Sequence, residues 1–369
     1  MHLITSSHSD RQLPQHRIPS RIVTSIPQQS VIYPGHCPRS HKHVQSTTGQ
    51  GTATLATVDV KPRKTYYGDY HDPNRTVGLR IANGGAGQAG LIGAWADSFI
   101  NYMVKKKQFE PFAVKWYLGD TTESIAFLEN KVVDVAVTYN EAAERQLYEI
   151  GLLSAWVYGF RDHFYLVGPR SNPAALDKSE NILSMIKKIV RTGNEHSVQP
   201  PVDKPPTRFL SRYDKSATNI KESELFIKIG QVPWAYAYSK WYHQYPRFPI
   251  QALEAASLLH EYTLSDRGIW LSSSAEVQSR LEIYKQGQDT PGDEEEDILL
   301  NPAHVLVAQE ENILNKSIGK AFVVWVQLYD AENREGGQWV VEHFTGFAQT
   351  GETKEPLYTR APSNWSPYK

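Results

Sequence analysis

Four short stretches of this 369-residue chain gather hydrogen-bond donors at what read as strand-to-helix turns. The first, Arg80 to Gly93, is RIANGGAGQAGLIG, with G-x-G-x-x-G at Gly85, Gly87 and Gly90 directly after an apolar run. Glycines at that spacing let a backbone approach a phosphate or dinucleotide closely, and a helix start beyond them favours negative charge. Asn83 and Gly84 open the same turn. The second stretch, GDTTES, offers the hydroxyls of Thr121 and Thr122, and the third, TYNEAAE, places Asn140 before a helix. The fourth is SRYDKSATN. Here Arg212 follows an apolar run, while Ser216, Thr218 and Asn219 precede IKESELFIKIG. A guanidinium fork with hydroxyl and amide donors suits a tetrahedral oxyanion, whose oxygens all accept.

Each position also has a plainer explanation, because Ser, Thr and Asn before a helix usually serve as N-caps and an arginine after a strand is often a surface charge. The case for a site is their convergence on one edge. A dinucleotide reading further needs an acidic residue about 20 positions beyond the glycines, at the end of the second strand. Asp120 stands at that strand end, but 30 residues past Gly90, and Asp120 with Glu123 reads as a capping box. Asp214 and Asp266 would repel an anion and are read as partners that hold Arg212 or Arg267. There is no G-x-S-x-G, no H-E-x-x-H and no recognisable pair of cleft carboxylates, so a catalytic role is not expected. No catalytic residue, metal or cofactor is assigned.

The elements that must carry these residues alternate. TVGLRIAN, FAVKWYL and VVDVAVTY read as strands; Leu91, Trp95, Phe99 and Met103 mark one helix at a 3.6-residue period, and TTESIAFLEN and EAAERQLYEIG give two more. That βαβαβα order predicts a parallel sheet with right-handed crossovers. HFYLVGPRSNP then carries the chain into a second unit with a helix around ILSMIKKIVRT, a polar loop from Gly193 to Pro206 and the strand TRFLSR. NPAHVLVAQ returns as a strand and KSIGKAFVVWVQLYD as a helix of the first unit. Two lobes joined by two crossings leave a cleft, a usual place for a small ligand. The aromatic stretch VPWAYAYSKWYHQYP is expected to fill core at helical spacing, and DTPGDEEED to be a solvated charge run.

Composition sets the remaining bounds. A formal net charge of -1 gives no general attraction to nucleic acid, so none is expected as a partner. No apolar run is long enough to span a bilayer. Residues 1–75, rich in Ser, His, Gln, Pro and Thr, are expected to be disordered, their scattered His36, His41 and His43 being polar sequence and not a metal site. The one cysteine, Cys37, falls in that segment, so no intramolecular disulfide or zinc-cysteine site forms. The opening MHLITSSHSDRQLPQ lacks the apolar stretch of a signal peptide.

From about Thr76 to Thr350 the chain resembles the tungstate-binding branch of the extracellular solute-binding proteins, with a type II periplasmic-binding fold, and looks closest to its fungal members. The motifs that carry the resemblance are DTTESIAFLENKVVDVAVTYNEAAE, DHFYLVGPRSNPA, RFLSRYDKSATNIKE, YTLSDRGIWL and LLNPAHVLVA. The resemblance implies an α/β, two-lobed protein: lobe 1 from 76–165 and 301–355, lobe 2 from 166–300, and a C-terminal tail from 356–369. It implies non-enzymatic closure over a small anion of the tungstate or molybdate kind, an extracellular setting, a monomer and a transporter partner that the sequence does not identify. The family's Ser-Arg-Gly-Asp-x-Ser-Gly-Thr pattern falls on Ser211 to Thr218, which puts its ligand-binding arginine at Arg212 and its threonine at Thr218. Tyr213 stands where the family has glycine. The family's first loop, a run of hydroxyl residues, falls on Asn83, Gly84, Gly85 and Ala86, leaving backbone N–H groups and the Asn83 amide as donors. Two rival readings remain: an NAD-dependent oxidoreductase using the Gly85–Gly90 loop, and a degenerate receptor that recruits another protein.

Overall fold

The computed structural model describes residues 60–235, 239–288, 297–346 and 354–366. Cys37, the three N-terminal histidines and most of the acidic run lie outside the described residues. In chain order the first elements are β1 (Lys64–Tyr66), β2 (Val77–Asn83), α1 (Gly85–Ala89), α2 (Leu91–Lys107), β3 (Ala113–Leu118), α3 (Thr121–Glu129), β4 (Val135–Thr138) and α4 (Glu141–Glu149). A long strand, β5 (Leu153–Pro169), follows, then α5 (Ile182–Val198), β6 (Phe209–Ser211), α6 (Ala217–Lys228), β7 (Tyr242–Gln244), α7 (Pro249–Leu259) and β8 (Tyr262–Asp266). The remainder is α8 (Arg267–Ser272), α9 (Ala275–Arg280), β9 (Leu281–Gln286), β10 (Leu300–Ala308), α10 (Lys316–Gln327), α11 (Gly337–His343) and β11 (Thr359–Arg360).

One mixed sheet runs through the molecule in the order β1-β3-β2-β4-β10-β5-β8-β6-β7. The expected parallel pairing holds for β2 with β3 and with β4, whereas β10 pairs antiparallel with both β4 and β5. β5 joins the halves. Its residues up to His163 pair with β10, and those from Phe164 pair with β8, while Tyr165 to Pro169 also pair with β9. Each half has its own apolar core, one built around Trp95, Phe99, Phe322 and Trp325 and the other around Phe164, Ile189, Phe209 and Phe226. Two cores with a shared strand make the two-lobed α/β arrangement.

The helices form for the reasons their sequences give. Leu91, Trp95, Phe99 and Met103 line the buried face of α2, and three lysines close its last turn, where the helix dipole favours cations. Asp120 caps α3 by accepting from the Glu123 N–H at 2.8 Å, and Glu123 returns a bond from the Asp120 N–H at 3.1 Å.

Four expectations need correction. Residues 64–66, placed in an unstructured segment, form an edge strand on β3 because Tyr66 buries its ring against α2. The segment beyond 356 is not a tail: Leu357 and Tyr358 are fully buried, and Thr359 and Arg360 pair with β5. Gly193 to Val198 continue α5, so the proline-bearing loop begins later. Trp241 and Tyr242 do fill core, but from β7 and the turn before it, not from a helix. No described helix is long and apolar enough to cross a membrane.

Candidate functional site

A narrow cavity of about 40 Å³ opens between the two halves of the sheet. Gly84, Gly85 and Ala86 from the β2–α1 turn and Asp120 and Thr121 from the β3–α3 turn form one wall. Arg212, Ser216 and Thr218 from the β6–α6 turn form the other, with Phe248 and Pro249 at its edge. Asp162, Asp266, Asn301 and Tyr139 complete the lining. A water needs roughly 10–15 Å³ of such space, so the cavity has room for a few waters or a small ion and none for a dinucleotide.

Arg212 dominates the second wall. Its side chain is 3% exposed, and its terminal nitrogen donates to Asp214 at 2.5 Å. Its Nε is buried with no hydrogen-bond partner in the structure. A buried guanidinium donor left unsatisfied costs about 1–3 kcal/mol, which an accepting guest would recover. Asp214 also accepts from the Ser216 N–H at 2.9 Å and the Ser216 hydroxyl at 2.6 Å, tying the turn to the start of α6. The Ser216 hydroxyl in turn caps the helix by accepting from the Asn219 N–H.

Beneath this turn lies a buried polar network. Ser211 Oγ donates to Glu222 and accepts from Tyr242 Oη at 2.8 Å and from the Tyr213 N–H at 3.0 Å, while Asn219 Nδ2 donates to Glu222 at 2.6 Å. Burial raises the Glu222 carboxyl from its ordinary value to about 7, against the lowering effect of its Ser211 and Asn219 bonds. Tyr213 sits at φ +40°, in the left-handed region. That is a backbone state glycine adopts without strain, a physical reason for glycine at this position in the resembling family. Its side chain is 43% exposed and does not line the cavity.

The first wall works differently. Asn83 is fully buried, donates its amide to the Val137 carbonyl at 2.8 Å and accepts from the Gly87 N–H at 2.7 Å. It shapes the turn and presents no amide to the cavity. Gly87 packs so closely on Trp116 that an added Cβ would lie 2.4 Å from the indole, and Gly90 takes φ +104° between α1 and α2. Two glycines of the G-x-G-x-x-G spacing are therefore spent on packing and a helix break, while a Cβ on Gly85 would meet only Pro249, at 4.0 Å. The helix they introduce is only Gly85–Ala89 long.

Six of the ten residues singled out in the sequence line the cavity: Gly84, Gly85, Thr121, Arg212, Ser216 and Thr218. The other four serve its frame. Asn83 sets the turn; Thr122 donates to the Lys215 carbonyl at 3.2 Å, joining the two walls; Asn140 caps α4 through the Ala143 N–H; Asn219 braces Glu222.

A larger cavity of about 580 Å³ lies between β5 and the C-terminal segment. Three arginines line it and all are engaged: Arg267 by the Pro356 carbonyl and Glu355, Arg360 by Glu342 and the Tyr329 ring at 4.1 Å, and Arg161 as well. The small cavity, with its unsatisfied guanidinium, is the better candidate.

The model of the PBP superfamily domain matches residues 45–328. The chain belongs to the PBP superfamily. One solved relative, a periplasmic protein provisionally described as metal-binding, is 45% identical, with a TM-score of 0.68 over 81% of this chain and 99% of the relative. The tungstate-binding protein TupA of Peptoclostridium acidaminophilum is 26% identical over 218 residues, which is 58% of this chain and 68% of TupA. The TupA structure from Desulfovibrio alaskensis G20, at 21% identity and a TM-score of 0.56 over 77% of this chain and 98% of that one, supports the fold alone. Among the described residues, no group of three or more His, Cys, Asp or Glu is gathered closely enough to hold a metal ion.

Three polar lining residues of the cavity escaped sequence reasoning. Asp162, Asn301 and Tyr139 sit where β5, β10 and the chain after β4 pass between the halves. A polar residue at the crossing point of a long apolar strand is the signal that was available. Asp266, read as a partner of Arg212, also lines the cavity and caps α8 through the Ile269 N–H at 2.8 Å.

Proposed function

We propose that this protein is a non-enzymatic binding protein for a small tetrahedral oxyanion of the tungstate or molybdate class, held between two lobes comprising 76–165 with 301–355 and 166–300. The buried, unpartnered Nε of Arg212 carries the reading. A guanidinium fixed at one end by Asp214 presents its remaining donors in a set geometry, and such charge-assisted bonds are strong where water is excluded. Thr121 from one wall and Thr218 from the other add hydroxyl donors, and the bond from Thr122 to Lys215 is a contact that would have to break when the lobes part. The tungstate-binding names of the TupA relatives support the oxyanion class. The cavity volume and the structural uses of Gly87 and Gly90 speak against a nicotinamide dinucleotide.

Isothermal titration of the full chain with tungstate, molybdate, phosphate and sulfate tests the reading. Saturable binding of at least one anion is expected, and Arg212→Ala should weaken it at least ~100-fold while the variant still melts cooperatively. Binding of undiminished strength in that variant, or no anion bound by the native chain, would remove the proposal.

A further inference from the structure

The charges around the cavity do not favour an ordinary anion site. One cationic side chain, Arg212, faces three carboxyl groups, Asp120, Asp162 and Asp266, and the guanidinium is already paired with a fourth, Asp214. With every carboxyl ionised, a dianion entering a space of about 40 Å³ would meet net negative charge at short range. Asp162 and Asp266 are 3% and 8% exposed, so solvent screens them little. The guest and the carboxyl groups become compatible when a proton lies between them, because a protonated carboxyl is a donor and an oxyanion only accepts.

Resting on the oxyanion reading, we propose that the Asp162 and Asp266 pair binds a proton together with the ligand, so that the cleft takes its oxyanion in a proton-linked form. The groups that bear on the pair come from several elements. On β5 it is the His163 N–H, which bonds Asp162; from α8 comes the Gly268 N–H, which bonds the same carboxyl; from β10 comes Asn301. Both carboxyl groups act through space on Tyr139 and Tyr358, and Arg212 acts on Asp266. Across the cavity stands Asp120, with Glu123, Asp214 and Lys215 near it. Burial pushes the Asp266 carboxyl up to about 6, against the lowering effect of the Ile269 N–H and Arg212. Burial, reinforced by the Asp266 charge, holds Asp162 well above the ordinary carboxylate range. Each carboxyl also accepts from a backbone N–H, Asp162 from His163 at 2.8 Å and Asp266 from Ile269, so an asparagine can keep those bonds in place.

Two probes separate the sources of the proton. Molybdate is fully ionised near neutrality and must draw its proton from solvent, whereas phosphate can bring one. Titrations of the full chain in pairs of buffers that differ in ionisation enthalpy read the uptake directly. With molybdate, up to about one proton should be taken up per anion, and affinity should fall by as much as about tenfold per pH unit as pH rises above about 6. With phosphate near pH 7, the uptake should be smaller. Asp266→Asn should lower the uptake and bind molybdate roughly 10- to 100-fold more tightly than the native chain at about pH 8. If that variant does not fold, Asp162→Asn carries the same expectation. Anion binding with no proton uptake and with flat affinity from about pH 6 to about pH 8.5 would overturn this inference and leave the oxyanion reading intact. No anion binding at any of those pH values would end that reading as well.

Discussion

The two walls of the cavity solve one problem by opposite means. The β6–α6 wall depends on side chains: Arg212 supplies charge, Asp214 fixes it, and the Ser211–Glu222–Tyr242 network holds the turn from below. The β2–α1 wall depends on backbone, with Asn83 and Gly87 locking a turn whose Gly84 to Ala86 present little but main chain. One wall is rich in charge and buried partners. The other is a close-packed surface to which the β3–α3 turn adds the Asp120 carboxyl and the Thr121 hydroxyl. Side-chain chemistry should therefore govern affinity at the first, and packing should govern the second.

Substitutions can break that comparison, and the largest effect belongs to the charged wall. Arg212→Ala should cost about 3 kcal/mol or more of oxyanion binding, measured by titration calorimetry, because Asp214 and the guest are both left without their cation. In the backbone wall the corresponding damage should appear in stability. Gly87→Ala must displace the Trp116 indole and should lower unfolding stability by about 1–3 kcal/mol in urea melts, while Gly85→Ala, with nothing closer than Pro249 at 4.0 Å, should change it by less than about 0.5 kcal/mol.

Glu222 sharpens the contrast through pH. Unfolded, its carboxyl loses its proton near 4.5; folded, it keeps it to about 7. The stabilisation that this group gives is complete below about 4.5 and is lost as pH rises through about 7. Glu222→Gln should therefore melt higher than the native chain at about pH 8, by about 2 kcal/mol, and show no such gain at about pH 4. Thr121→Val should weaken molybdate binding by about 1 kcal/mol, the worth of one neutral hydrogen bond. Tyr213→Gly should stabilise the apo protein by up to about 1 kcal/mol, since the left-handed strain disappears and only a half-exposed ring is lost.

The fold was largely legible because its signals are local. The Leu91–Met103 period, the Asp120–Glu123 box and the apolar runs of β2, β3 and β4 each specify their element within a few residues. Arg212 and Thr121 were legible for the same reason, standing at turns that the local pattern marks. Asp162, Asn301 and Tyr139 were not, because their place in the cavity depends on how β5 and β10 thread between the halves, a pairing between residues more than 130 apart in sequence. The glycine spacing misled in a related way. Gly87 answers to Trp116 on the neighbouring strand, and a one-dimensional motif cannot distinguish a glycine that admits a phosphate from one that admits an indole.

Tyr358 has a bearing on how the molecule comes into being. Its ring packs on Phe160 with centroids 4.7 Å apart, presses its hydroxyl towards Gly268 and backs onto the region of Asp162, Asp266 and Tyr139. Every other group that surrounds the cavity precedes it along the chain. During translation the packing behind the pocket can thus form only after residue 358 has left the ribosome, later than every residue that lines the cavity.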